Sequence, residues 1–190
     1  SPPDPVSPPT PPVPSPPPVF QNTLSALNKD TGGFVVANNA VGSAKLIATN
    51  EGLSIFDLVA LKSNKSFVGT VTALNIFDTA GALATNAALT GSVISSVSNV
   101  IVNETGTNTP ATLSQLAAID VVNGNSTLTY TKVSGLVSDF FTTGTTTSTA
   151  LSDFYISSGK SVVVTDAVSI AQILALDSKN GSGTCLLYTS

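Results

Sequence analysis

Three seven-residue segments follow one pattern at nearly equal spacing, and this self-similarity limits the folds open to the chain more than any other feature. They are Ile55-Phe-Asp-Leu-Val-Ala-Leu61, Leu113-Ser-Gln-Leu-Ala-Ala-Ile119 and Ile170-Ala-Gln-Ile-Leu-Ala-Leu176, with starts 58 and 57 positions apart. The sequence between them agrees. Thr70-Val-Thr-Ala-Leu-Asn-Ile76 matches Thr127-Leu-Thr-Tyr-Thr-Lys-Val133 at an offset of 57, and residues 88–104 match 150–166 without a gap at an offset of 62. A five-residue polar insertion near Thr142–Thr149 accounts for the larger offset, and another near Thr105–Thr109 restores the register. A period of this size signals an array of small supersecondary units.

Two kinds of element alternate within the period. Leu46-Ile-Ala48, Val100-Ile-Val102 and Val162-Val-Val-Thr165 are short, mostly β-branched runs that read as buried strands. The seven-residue segments carry apolar side chains at i, i+3, i+4 and i+6, close to one helical face. Glu51, Glu104 and Asp166 precede or open these helices, where a carboxylate caps free N–H groups and suits the positive helix end. Asn64, Asn123 and Asn180 follow them, where Asn tolerates a left-handed terminal conformation. Second strands over Thr70–Leu74 and Thr127–Thr131, and second short helices over Ile76–Leu83 and Val133–Phe140, complete the period. One strand-turn-helix unit of about 28 residues cannot bury its own apolar face, whereas stacked copies can. The expected fold is therefore an α/β repeat solenoid of about three repeats over residues 20–184. It would have stacked parallel strands on one side and helices on the other; a right-handed parallel β-helix is the alternative, favoured by the Thr-rich strands.

The N-terminal arm differs in kind. Eleven of the twelve prolines lie between Pro2 and Pro18, so residues 1–19 read as an extended polyproline linker. No basic residue flanks it, which favours a spacer over a ligand for a proline-binding domain. At the other end, Cys185-Leu-Leu-Tyr-Thr-Ser190 reads like a translation of the transposon end used in sequencing-library preparation. Residues 185–190 are accordingly taken as a sequencing-adaptor tail and set aside from the fold. The only Cys lies within them.

Composition removes several function classes. The chain has no His, Arg, Met or Trp. Without His there is no Ser-His-Asp or Cys-His nucleophile system and no imidazole zinc site. Seven Lys against eleven acids give a net charge of -4, which opposes nucleic-acid binding. No apolar run is long enough for a membrane span. The lack of Met marks the chain as an expected internal fragment of a longer protein.

The words Val162-Val-Val-Thr-Asp-Ala167, Ile170-Ala-Gln-Ile-Leu-Ala-Leu-Asp177, Leu113-Ser-Gln-Leu-Ala-Ala-Ile-Asp120 and Leu128-Thr-Tyr-Thr131 resemble repeats of very large bacterial surface proteins, often cyanobacterial or proteobacterial. The resemblance covers most of residues 20–184 and rests on words of simple composition. It implies an adhesin-like or surface-layer-like module, extracellular or at the cell surface, often accompanied by calcium-binding nonapeptide repeats. This chain departs from that pattern: Asp30-Thr-Gly-Gly33 and 177–183 are Gly-rich turns, yet no G-G-x-G-x-D-x run occurs, so calcium is assigned to no residue.

No catalytic, cofactor-binding or metal residues are therefore expected, and the sharper readings have simpler rivals. Asp120, Asp166 and Asp177 recur with the repeat as candidate calcium ligands, but calcium takes six to eight oxygens, and helix capping explains them more simply. Asp139 and Asp153 are the nearest pair for glycoside hydrolysis, without a Trp for a sugar to stack on. Phe56, Phe77, Phe140 and Phe141 read as core. Asn64-Lys-Ser66, Asn103-Glu-Thr105, Asn125-Ser-Thr127 and Asn180-Gly-Ser182 match the N-glycosylation pattern at predicted turns, where a capping role is simpler. The expected function is a non-catalytic structural or adhesive repeat module. Its partners would be neighbouring repeats, glycans or other surface proteins. The alternative is an accessory module tied by the proline arm to a secreted hydrolase.

Overall fold

The computed structural model describes residues 12, 19–23, 45–48, 52–64, 70–143, 146–147, 154–156 and 159–187. The proline-rich linker expected over residues 1–19 lies outside them apart from Pro12 and Val19, as do Glu51, Asp153 and residues 188–190.

Short runs rich in Val, Ile and Thr form strands β1 (Val19–Asn22), β2 (Lys45–Ala48), β3 (Thr70–Ala73), β4 (Asn75–Asp78), β5 (Asn99–Val102) and β6 (Ala111–Thr112). They are followed by β7 (Thr127–Thr129), β8 (Lys132–Gly135), β9 (Phe141–Thr143), β10 (Thr146–Thr147), β11 (Ser161–Val164) and β12 (Cys185–Leu187). Between them lie helices α1 (Ile55–Asn64), α2 (Ala80–Ala87), α3 (Leu113–Asn123), α4 (Val137–Phe140) and α5 (Ile170–Asn180), with a 3-10 turn over Val93–Ser96.

The fold is mixed α/β, and its larger sheets are parallel. Their strand orders are β1-β2-β3, β4-β5-β7 and β12-β11-β8-β6, while β9 and β10 form a small antiparallel pair. Val19 faces Lys45, Lys45 faces Thr70, Asn75 faces Asn99 and Asn99 faces Thr127. Ala111 faces Val133, Lys132 faces Ser161 and Val162 faces Cys185. Each parallel pair thus joins residues 22 to 29 positions apart. A parallel neighbour requires a crossover of about a dozen residues or more, commonly a helix. Helix α1 fills that gap between β2 and β3, α2 between β4 and β5, and α5 between β11 and β12.

Two of the expected second helices are shifted. Ile76 and Val133, expected to open them, lie in β4 and β8 with no exposed surface, and the helices begin at Ala80 and Val137. Both residues are β-branched and pair with β-branched partners, Val100 and Val162, so the parallel ladder takes them from the helix. The strand expected over 70–74 therefore continues past Leu74, where it turns from β3 into β4 and changes its partner from β2 to β5.

Helix starts also differ from expectation. Thr112 and Ser169 accept from the backbone N–H groups of Gln115 and Gln172, and those glutamines accept in return from the Thr112 and Ser169 backbones, forming two capping boxes. The acids work between segments instead. Glu104 accepts from the N–H groups of Thr131 and Lys132, and Asp166 accepts from Val137 N–H at 2.7 Å. Asp78, at the end of β4, does the same for Ile55 N–H, the first residue of α1. At the helix ends, Gly124 and Gly181 take the positive φ (59° and 64°) foreseen for Asn123 and Asn180, because glycine has no Cβ to oppose it. The two asparagines are the last helical residues and are buried.

The core lies between the parallel strands and the helices. Leu58, Leu61, Ile76, Leu83, Ile94, Leu116, Ile119, Val133, Phe140, Val162 and Leu176 have no exposed surface. Of the four helical positions expected to be apolar, i+6 is fully buried in all three helices, at Leu61, Ile119 and Leu176, and i+3 is fully buried at Leu58 and Leu116 but half-buried at Ile173. Val59, Ile170 and Leu174 are exposed, and Phe56, expected in the core, is 79 % exposed. The segment set aside as a tail supplies β12, whose Leu186 and Leu187 remain 45 % exposed. That pairing bears on the fold and not on the origin of the codons.

Candidate functional site

The largest departure from regular stepping lies between β5 and β6. In β5, Asn99 meets Thr127 28 positions on, whereas in β6 Ala111 meets Val133 only 22 positions on. The excess of six residues is held in the connection 103–110, while β7 and β8 cross the same gap with Tyr130 and Thr131 alone. This is where the sequence carries its polar insertion near Thr105–Thr109.

Both ends of the connection are tied down. Asn103 accepts from Thr105 N–H at 3.0 Å and from its hydroxyl at 2.6 Å, closing a tight turn. Glu104 then reaches the start of the next segment through the Thr131 and Lys132 backbones. At the far end the Ser134 hydroxyl donates to the Pro110 carbonyl at 2.9 Å. Between these anchors the loop stands beside the outer face of β8 and β11 and encloses a pocket of about 400 Å³. Gly106, Thr107, Asn108, Thr109 and Pro110 form one wall; Ser134, Val163 and Thr165 form the floor. Ser134 and Val163 are register partners, and their neighbours Val133 and Val162 point the other way, into the core.

A second polar cluster joins three segments. The Tyr130 hydroxyl donates to the Tyr155 carbonyl at 2.9 Å, and the Tyr155 hydroxyl donates to Asp120 at 3.0 Å. Lys160 donates to the Tyr130 carbonyl and places its ammonium 4.5 Å from the centre of the Tyr130 ring. The two tyrosine rings meet edge to face at 6.3 Å. Burial, then the Asp120 charge, pushes the Tyr130 phenol up to about 12. Burial and the hydrogen bond to Asp120 push the Tyr155 phenol up further. Both phenols are thus held neutral and act as ties rather than as bases.

The residues singled out in the sequence are not gathered into one site. Asp120 is bound to Tyr155, Asp166 to the backbone of Val137, and Asp177 is exposed on α5. Among the described residues no group of three or more His, Cys, Asp or Glu side chains could hold a metal. Asp139 caps its own short helix through Leu136 N–H, and Asp153 lies outside the described residues. Burial, then Asp177, raises the Cys185 thiol, with Asn180 acting the other way. Of the glycosylation matches, Asn125 is exposed, Asn103 is half-buried in its turn and Asn180 has no exposed surface; the side chain of Asn64 lies outside the description. No helix among the described residues is long and apolar enough to cross a membrane.

The sequence reading did not assign Thr107, Asn108, Thr109, Ser134, Val163 or Thr165 to a site. The insertion near Thr105–Thr109 was the one available signal, since an added polar loop on a regular scaffold is a common place for binding. Searches of protein-family models, curated proteins and solved structures found no match to this chain.

Proposed function

We propose that the chain is an α/β solenoid of about 57-residue repeats, each giving two strand-helix units. It serves as a non-catalytic structural and adhesive module of a large secreted or cell-surface protein. The observation that carries this reading is the parallel ladder: strand after strand pairs with one 22 to 29 residues on, close to half the sequence period. Crossovers through helices of ten and eleven residues favour an α/β stack over an all-β parallel helix. A stack of this kind grows by adding units without changing its cross-section, which suits a spacer. Thr and Ser on its turns and outer strands supply polar contacts for neighbouring surfaces.

Two measurements test it. Tandem duplication of residues 113–169 should yield a folded chain whose urea m-value rises in proportion to the added length, because m follows the surface exposed on unfolding. An unchanged m-value, or an insoluble product, rejects the repeat architecture. For adhesion, beads coated with the full chain are flowed over polysaccharide-coated and bacterial surfaces. Retention above bare beads is expected, and retention equal to bare beads rejects the adhesive role.

A further inference from the structure

We infer that the pocket between residues 106–110 and the outer face of β8 and β11 is a binding site for a neutral saccharide; the inference rests on the adhesive reading and names its ligand class. Its volume of about 400 Å³ falls within the usual range for small-ligand sites, about 300–1,000 Å³. Every lining residue is uncharged: three threonines, a serine, an asparagine, two small or apolar turn residues and a valine. A carboxylate or phosphate entering it would lose water without gaining an ionic partner. Most of the exposed lining is carbon, from Pro110, Val163 and the threonine methyls, with hydroxyls and one carboxamide among it. A ligand of hydrocarbon alone would leave those polar groups unpaired.

A sugar offers what this lining lacks. Among the described residues the side chains of Thr107, Asn108 and Thr109 have no partner within the protein, so they are open to bond a ligand. The hydroxyl protons of Ser134 and Thr165 are already committed, to the carbonyls of Pro110 and Gly135, which leaves their oxygens as acceptors. Sugar hydroxyls donate and accept, and the C–H face of the ring suits the Pro110 ring and the Val163 methyls. An extended peptide fits less well, since strand addition needs an open edge. Here β8 is paired on both sides by β6 and β11, and β11 by β8 and β12. The ties at Glu104 and Pro110 hold the loop before any ligand arrives, which lowers the ordering cost of binding.

The test is a titration of the isotope-labelled full chain with glucose, galactose and N-acetylglucosamine, with glucuronate as the charged comparison, followed by amide NMR shifts. At least one neutral sugar should give saturable shifts confined to residues 106–110, 134–135 and 163–165. Thr107→Ala with Thr109→Ala, on the exposed loop, should weaken that binding roughly tenfold or more, as expected for two lost hydrogen bonds. Val163→Phe, which fills the floor, should abolish it. Absence of saturable shifts with all three sugars, equal binding of glucuronate, or shifts mapping elsewhere overturns the assignment. Beads that adhere while the titration stays silent reject this pocket alone; beads that do not adhere reject the adhesive reading itself.

Discussion

Asn86, Asn123 and Asn180 stand at or near the ends of three helices, all buried, and differ in how their carboxamides are used. Asn86 accepts from both the Ser92 hydroxyl and Val93 N–H, whereas Asn123 donates to the Ser126 carbonyl and leaves its own buried oxygen without a partner. Replacing Asn86 by Ala strands two donors, at a cost of about 1–3 kcal/mol. Asn123→Ala strands one acceptor and removes an unsatisfied one, so urea denaturation should show a smaller loss, about 1 kcal/mol or less. The tyrosines give a second prediction. A phenol whose folded value lies above its unfolded value contributes its full stability below the unfolded value and loses it as pH rises through the folded one. Tyr130, raised to about 12 from 10, should therefore leave the urea midpoint untouched up to about pH 10, with a decline setting in toward pH 12. Tyr130→Phe should flatten part of that decline. At this scale the sequence spoke unevenly: the recurrence of Asn at helix ends was visible, but whether it turns outward as a cap or inward as a core amide depends on the glycine beside it. Gly124 and Gly181 take the strained geometry and free the asparagines to be buried.

Among the elements, the long helices were readable because their apolar spacing differs from that of the strands, and α1, α3 and α5 fall on the three matching segments. The short helices were not. A β-branched residue followed by alternating apolar positions is ambiguous over a single turn, and pairing of Ile76 and Val133 into ladders decided the matter through contacts distant in sequence. The caps were hidden for a related reason: Thr112 and Ser169 look like ordinary polar loop residues until Gln115 and Gln172 are seen to close the box. Thr112→Ala and Ser169→Ala should each cost about 1 kcal/mol, read as a shift in the urea midpoint. Hydrogen exchange should localise each loss to the first turn of α3 or α5. Asp78→Ala should likewise loosen the first turn of α1, although the carboxylate belongs to a strand 23 residues away.

For the whole molecule, the parallel order followed from the period, while the depth at which each position sits did not. Ile119 and Leu176 occupy equivalent places in the pattern and are both fully buried, yet Ile170 on α5 is exposed where Leu113 on α3 is buried, and Leu174 is exposed where Ala117 is half-buried. Helix α3 packs against α2, and α5 has no following helix among the described residues, so the same letters meet different surroundings. Leu116→Asp places a charge at the centre of the shared core and should abolish the cooperative urea transition. A transition retained near the parent midpoint would show that the neighbouring units do not depend on that contact. The six-residue excess between β5 and β6 has a further meaning for such a chain. Because the strand pairs on either side of it keep their registers, the bulge behaves as a socket on a fixed frame. Its residues can be exchanged without re-indexing any strand, and under the saccharide reading proposed above a change of ligand would need no change of fold.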